Sequence, residues 1–356
     1  QKNTALLKQI QQRTGCKILL AQKAFSMFSA YPLIRDDLAG TTASGLFEAK
    51  LGREHFGKEV HVFSPAYTQE DFTQLLELCD HIVFNSFGQW KKYRQQVQDA
   101  TRNISCGIRI NPGYAEVETD LYNPCISGSR MGVPLEQMED DFAGLDGIHF
   151  HTMCEQNSDV LERTLDHMLP QFDKWLKRCK WVNFGGGHHI TRPDYDVERL
   201  VRCIERVRDT YGVQVYLEPG EAVALNAGYL VATVLDVVHN GMDIAILDAS
   251  AACHMPDVLE MPYRPHILYS GTAGEKTHTY RLAGNTCLAG DVIGDYSFDH
   301  QLQAGEKLVF CDMAIYSMVK NNTFNGVPLP DIALYQNGHI DLVKRFGYAD
   351  FEGRLS

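Results

Sequence analysis

No two cysteines of this chain form a Cys-x-x-Cys pair. The 10 present are scattered from Cys16 to Cys311, so neither a zinc site nor a disulfide framework is indicated, and a reducing, cytoplasmic setting fits best. No stretch is long and apolar enough to cross a membrane, and no signal peptide is visible. Internal repeats, low-complexity tracts and long linkers are missing, as is the Gly-x-Gly-x-x-Gly signature of dinucleotide-binding sheets. Positive charge is also short. Against 45 Asp and Glu there are 33 Lys and Arg, a net charge of -12. That balance argues against a nucleic-acid backbone as partner and suits a cationic small molecule. The first residue is Gln1 rather than Met, which implies a natural N-terminus that has been trimmed or lies upstream.

What is present is ordinary globular composition: 44% hydrophobic and 22% charged over 356 residues, enough for a large domain and a smaller one. Short apolar runs recur at 17–24, 38–42, 59–63, 81–85, 105–110, 147–151, 181–184 and 213–217. Most gaps between them carry helical periodicity, as at 70–78, 89–99, 159–179 and 197–211. Strands alternating with helices imply parallel βα units, and eight such units suggest a (β/α)8 barrel over residues 1–222. A doubly wound open sheet is the alternative, without a signature in its favour. From about residue 223 the runs at 229–238, 243–247, 277–282 and 307–310 are rich in β-branched residues and separated by turn signals such as Asn240-Gly241. That portion, 223–356, reads as a mainly β domain.

One stretch draws the barrel reading toward chemistry. Residues 18–25 run from an apolar segment into Lys23, at the C-terminal end of the first strand. An unpaired ammonium is expensive to bury, and one escape is to give up its charge in an imine, as lysines do with pyridoxal phosphate. A strand-end lysine reaching solvent is the plain alternative. Chemistry in a barrel sits at the C-terminal strand ends, and those positions are crowded with polar and glycine residues. Ser44 and Glu48 follow the second strand, Asn85 the fourth, and Arg109 and Asn111 the fifth. His151 and Cys154 follow the sixth, Gly185, Gly186 and Gly187 the seventh, and Glu218-Pro219-Gly220 the eighth. Alternation puts His149 on the same strand face as His151. The three glycines would let backbone amides approach an anion. Glu218 could keep a pyridine nitrogen protonated. In the β portion, Cys287 lies among turn residues ahead of Asp291, a setting for an exposed, reactive thiol.

These features together resemble the fold-type III pyridoxal-phosphate decarboxylases, the ornithine and diaminopimelate decarboxylase group, over nearly the whole chain. Within that group, Arg109-Ile110-Asn111-Pro112, the stretch from Glu118 to Pro124, His149-Phe150-His151, Glu218-Pro219-Gly220-Glu221 and the stretch from Leu247 to Asp257 resemble the carboxynorspermidine (carboxyspermidine) decarboxylases. The resemblance implies an alanine-racemase-like barrel, followed by a β domain, that binds pyridoxal 5'-phosphate. Lys23 would join the cofactor covalently, with His151 stacked on its ring. Arg109 would sit near the ring hydroxyl and Glu218 at the pyridinium. The three glycines, Gly220 and Tyr316 would hold the phosphate. Cys287 would protonate the α-carbon. It also implies a homodimer with shared sites, in which Cys287, Asp291 and Tyr316 face Lys23 of the other copy.

Glu221 stands where ornithine and diaminopimelate decarboxylases typically carry an arginine on the phosphate. An added anion there weakens diaminopimelate as substrate and favours a polyamine-like one. The expected partners of its distal amines are Glu221, Asp257, Asp248 and Asp291, with Glu118 and Asp120 behind them. The alternatives are a decarboxylase for another basic amino acid or for diaminopimelate, and a non-catalytic regulator that binds pyridoxal phosphate or polyamine. Retention of both Lys23 and Cys287 speaks against the last.

Overall fold

Parallel strands alternate with helices through the first two-thirds of the chain. The computed structural model describes residues 1–356, which divide into two compact units, Gln1–Val223 and Ala224–Ser356. In the first unit the strands are β1 (Lys17–Ala21), β2 (Gly40–Ala43), β3 (Glu59–Phe63), β4 (His81–Phe84), β5 (Ser105–Asn111), β6 (Gly147–His149), β7 (Trp181–Asn183) and β8 (Gln214–Leu217). They pair in the order 4-3-2-1-8-7-6-5, and β4 also pairs with β5, so the sheet closes into the expected eight-stranded barrel. A two-residue strand, Val133–Pro134, adds to β5 at Ile110 and Asn111.

The intervening helices begin where the sequence supplies caps. Thr68 accepts a hydrogen bond from the Asp71 amide at the start of α3 (Gln69–Leu78), and Ser86 does the same for Gln89 in α4 (Phe87–Gln98). Asp196 caps α6 (Val197–Tyr211), whose Leu200, Val201, Ile204 and Val207 form the buried stripe. Each cap satisfies an amide that has no partner within its own helix. Also present are α1 (Lys2–Thr14), which precedes the barrel, the short α2 (Leu46–Leu51) after β2, and α5 (Ser158–Leu176).

Alternation along the strands sends every second side chain into the barrel. Near the N-terminal strand ends the interior is aromatic: Trp181 and Tyr216 pack with Leu19 and Val83. The indole needs room, and β5 and β6 give it by carrying Gly107 and Gly147. A Cβ on Gly147 would lie 2.1 Å from Trp181 Cδ2. Near the C-terminal ends the same alternation brings polar groups together.

The second unit holds a mixed sheet of β9 (Tyr229–His239), β10 (Asp243–Leu247), β11 (His278–Ala283), β12 (Val292–Phe298) and β13 (Lys307–Cys311). Only β10 and β11 run parallel among these. Val234, Leu247, Leu282, Ile293 and Phe310 are buried at its core. The 292–298 strand and a hairpin of β14 (Ile332–Gln336) and β15 (His339–Lys344) were not read from the sequence. The hairpin's signal is there, since Asn337-Gly338 separates two runs with β character. Both residues take positive φ, 52° and 83°, as a tight hairpin turn with the twist of its strands requires. No helix in either unit is long and apolar enough to cross a membrane.

Overpacking at the floor gives a direct check on the barrel. Gly147→Ala should lower stability by about 1–3 kcal/mol, read as a shift of the urea midpoint, whereas alanine at Gly45, which has extended backbone and where a Cβ meets nothing within 4 Å, should cost less.

Candidate active site

The C-terminal strand ends of the barrel converge on one pocket. Its lining includes Lys23 after β1, Thr42 and Ser44 around the end of β2, Phe63 on β3, and Arg109 on β5. His149 and His151 come from β6 and just beyond it, with Gly186 after β7 and Glu218 after β8. Lys23, Arg109, His151, Gly186 and Glu218, all expected at the site, are therefore brought together.

Glu218 is the buried anion of the group, 9% exposed. Its Oε2 lies 3.2 Å from His149 Nε2, and its Oε1 accepts from Asn183 Nδ2 at 2.8 Å. Burial alone would raise its pKa, but the bonds from His149 and Asn183 outweigh that and hold it at about 2. His149 is pushed the other way, because desolvation opposes its positive form more than Glu218 favours it. A neutral His149 donates from Nε2 to Glu218, while its buried Nδ1 has no hydrogen-bond partner. Neither partner was singled out as a site residue from the sequence, although His149 was placed on the face of His151. Asn183 had a readable signal, a polar residue at an inward position of an otherwise apolar strand.

Arg109 is 3% exposed. Its Nη2 donates to the His151 carbonyl at 3.3 Å, and its guanidinium lies 4.6 Å from the Phe63 ring centroid. Its Nε has no hydrogen-bond partner. Burial pushes its pKa down to about 10. Lys23 is accessible within the pocket but walled by protein. Loss of bulk water, and then the charge on Arg109, lower its pKa, against the pull of Glu218 and Glu48. A lysine so placed carries a larger fraction of free amine, the form that attacks a carbonyl. Glu48 was noted on the rim but not assigned a role. Its carboxylate accepts from the Ser44 amide at 2.6 Å, and burial raises its pKa.

The glycine loop departs in one respect from expectation. Gly185 donates its amide to Asn183 Oδ1 and Gly186 donates to His151 Nδ1, each at 2.8 Å. These two amides orient side chains rather than pointing at an anion, which leaves Gly187 as the amide of the trio open to a phosphate. His151 is thereby fixed as an Nδ1 acceptor. Burial first, and then the positive charge of Lys23 and Arg109, lower its pKa well below the usual value, so it is neutral. A Cβ on Gly186 would lie 2.6 Å from the Glu218 carbonyl oxygen, and one on Gly220 would lie 2.6 Å from Ala24 Cβ. Only glycine fits at either position. Glu221 follows, with Oε1 3.9 Å from His189 Nε2.

In the second unit Cys287 is exposed, and its amide donates to Asn325 Oδ1 at 2.7 Å. Asp291, expected to meet the substrate, is held among protein donors. It is 2% exposed, and its carboxylate accepts from Ser250 Oγ at 2.8 Å, Thr286 Oγ1 at 2.6 Å and the Ala252 amide at 3.2 Å. It organises the loop that presents Cys287. Asp257 is likewise engaged, in an ion pair with Lys320. Asp248 is exposed and accepts from the Thr233 amide at 2.6 Å. Tyr316 holds φ at 55°, a conformation that costs a non-glycine residue about 1–3 kcal/mol and is often kept at functional positions.

Residues 67–314 match the family described as pyridoxal-dependent decarboxylase, C-terminal sheet domain. The chain is 42% identical to a carboxynorspermidine/carboxyspermidine decarboxylase of Campylobacter jejuni, covering 99% of this chain and 95% of that one. It is also 42% identical to a carboxyaminopropylagmatine decarboxylase of Synechocystis, covering 100% and 92%. A crystal structure of the Campylobacter jejuni carboxynorspermidine decarboxylase in complex with norspermidine superposes with a TM-score of 0.91, at 41% identity over 99% of this chain and 96% of that one.

Glu218 makes stability depend on pH. Folding depresses its pKa from 4.5 to about 2, which corresponds to roughly 3 kcal/mol. That stabilisation is fully present above about pH 4.5 and is lost as pH falls toward 2. Urea unfolding should accordingly show wild type more stable than Glu218→Gln at pH 6, with the gap narrowing between pH 5 and 3.

Proposed function

The chain belongs to the pyridoxal-dependent decarboxylases, and from that premise we propose that it removes the α-carboxylate of carboxynorspermidine, and of carboxyspermidine, to leave norspermidine or spermidine. The observation that carries the reading is the placement of Lys23, its pKa lowered, with a buried, ionised Glu218 in one barrel pocket. Likeness to a decarboxylase whose structure holds norspermidine supports the substrate class.

The pocket fits pyridoxal phosphate. The orphaned Nε of Arg109 is a buried donor in need of an acceptor such as the ring hydroxyl. When bound, the cofactor supplies an electron sink for the pair left on the α-carbon as CO2 departs. Lys23, its pKa lowered by burial and by Arg109, would hold the cofactor through Nζ. Glu218 holds a proton at the ring nitrogen, and His149 and Asn183 keep Glu218 aimed. Neutral His151, its orientation set by the Gly186 amide, would pack against the ring, and Gly187, Gly220 and Tyr316 would hold the phosphate. Cys287 returns a proton to the α-carbon, in a homodimer that brings it to the partner's Lys23. Glu221 and the exposed Asp248 are the carboxylates for the distal ammonium groups.

Equal identity to the Synechocystis enzyme favours a second reading, in which the distal group is the guanidinium of an agmatine unit. The norspermidine and spermidine precursors differ by one methylene, worth about 1–3 kcal/mol of discrimination.

Two measurements test the proposal. Purified wild type should show the long-wavelength absorbance of pyridoxal phosphate joined to a lysine, and Lys23→Ala should lack it. CO2 release should then be fastest from carboxynorspermidine or carboxyspermidine. Faster release from carboxyaminopropylagmatine moves the substrate to the second reading, and no absorbance after addition of pyridoxal phosphate overturns both. Cys287→Ala should keep the absorbance and lose about 10²–10⁴-fold in turnover, the usual worth of a positioned proton donor.

A further inference from the structure

The strands begin at the opposite end of the barrel from Lys23, and there a second cluster of ligating side chains has no part in decarboxylation. Glu59 and His61 on β3 and His81 on β4 place one carboxylate oxygen and one nitrogen of each imidazole within 4.8 Å of one another. His61 and His81 are register partners across the two strands. Their rings stack with centroids 3.9 Å apart and planes 8° from parallel. His81 Nδ1 is buried without a hydrogen-bond partner. Glu59 Oε2 lies 3.2 Å from His61 Nε2 and 3.3 Å from the Tyr216 hydroxyl, while its other oxygen receives the Lys17 ammonium.

Two imidazoles and a carboxylate are a donor set suited to Zn2+ and its first-row neighbours. Such ligands must be deprotonated. Burial pushes His81 down to about 3, and Glu59, despite burial, is held at about 2 by its bonds from His61 and Lys17. The carboxylate is 29% exposed and Lys17 39%, so the site opens to solvent and the lysine can withdraw. Its ammonium already supplies a positive charge to this carboxylate. Bonds of ~2.0–2.1 Å would draw tetrahedral ligands to about 3.3 Å from one another, a contraction that requires the Glu59 side chain to rotate and the stacked His61 and His81 rings to tilt toward one point.

We infer that Glu59, His61 and His81 form a binding site for a divalent transition-metal ion, with Tyr216 steadying the carboxylate and Lys17 occupying it in the metal-free chain. A solvent-side water completes the coordination.

The test is titration of untagged, chelator-treated holoenzyme with Zn2+ by calorimetry and with Co2+ by its visible absorbance. One equivalent should bind, and His81→Gln and Glu59→Gln should each weaken binding at least about tenfold. Lys17→Met, which removes the competing cation, should tighten it, and circular dichroism checks that each variant is folded. Binding that survives both His81→Gln and Glu59→Gln overturns the inference, as does no stoichiometric binding to either wild type or Lys17→Met.

Discussion

A carboxylate inside a barrel has to be given partners, and the arrangement around Glu218 follows from that need. Three adjacent strands contribute: β8 leads into the glutamate, β6 supplies His149 and β7 supplies Asn183. Asn183 also accepts the Gly185 amide, and the next amide, from Gly186, fixes His151. The glycine loop, His151 and the acid are thus one hydrogen-bonded unit. Removing a single partner would leave a buried charge or donor unsatisfied, which is more costly than the loss of one exposed hydrogen bond.

Charge is divided along the barrel axis. At the C-terminal end, Lys23 and Arg109 face Glu218 and Glu48, and desolvation weakens the charged form of both cations. The floor is filled by Trp181, Tyr216, Leu19 and Val83, beside the Lys17–Glu59 pair, whose carboxylate meets the Tyr216 hydroxyl.

In the second unit a different carboxylate does a comparable structural job. Asp291 draws together Ser250, Ala252 and Thr286, and so shapes the loop on which Cys287 is exposed. The motif around Cys287 marked Asp291 as important without revealing how. A buried acid and a substrate-facing acid look alike in a linear string, because what separates them is the set of donors that folding brings near.

Much of the fold was readable. Apolar runs at strand length, separated by helical periodicity, suggested a parallel barrel over the alternative of an open doubly wound sheet, because both signals reflect local burial that repeats along the chain. Lys23, Arg109, His151, Gly186 and Glu218 were also readable, since they stand at strand ends, where a barrel collects its reactive groups. The tertiary structure alone decided what each one meets. Asn183 and His149 as the partners of Glu218, the engagement of Asp257 with Lys320, and the contact between His61 and His81 all join residues distant in sequence. Periodicity reports which face a side chain takes, but contact across strands depends on closure and register, and those exist only once the chain has folded.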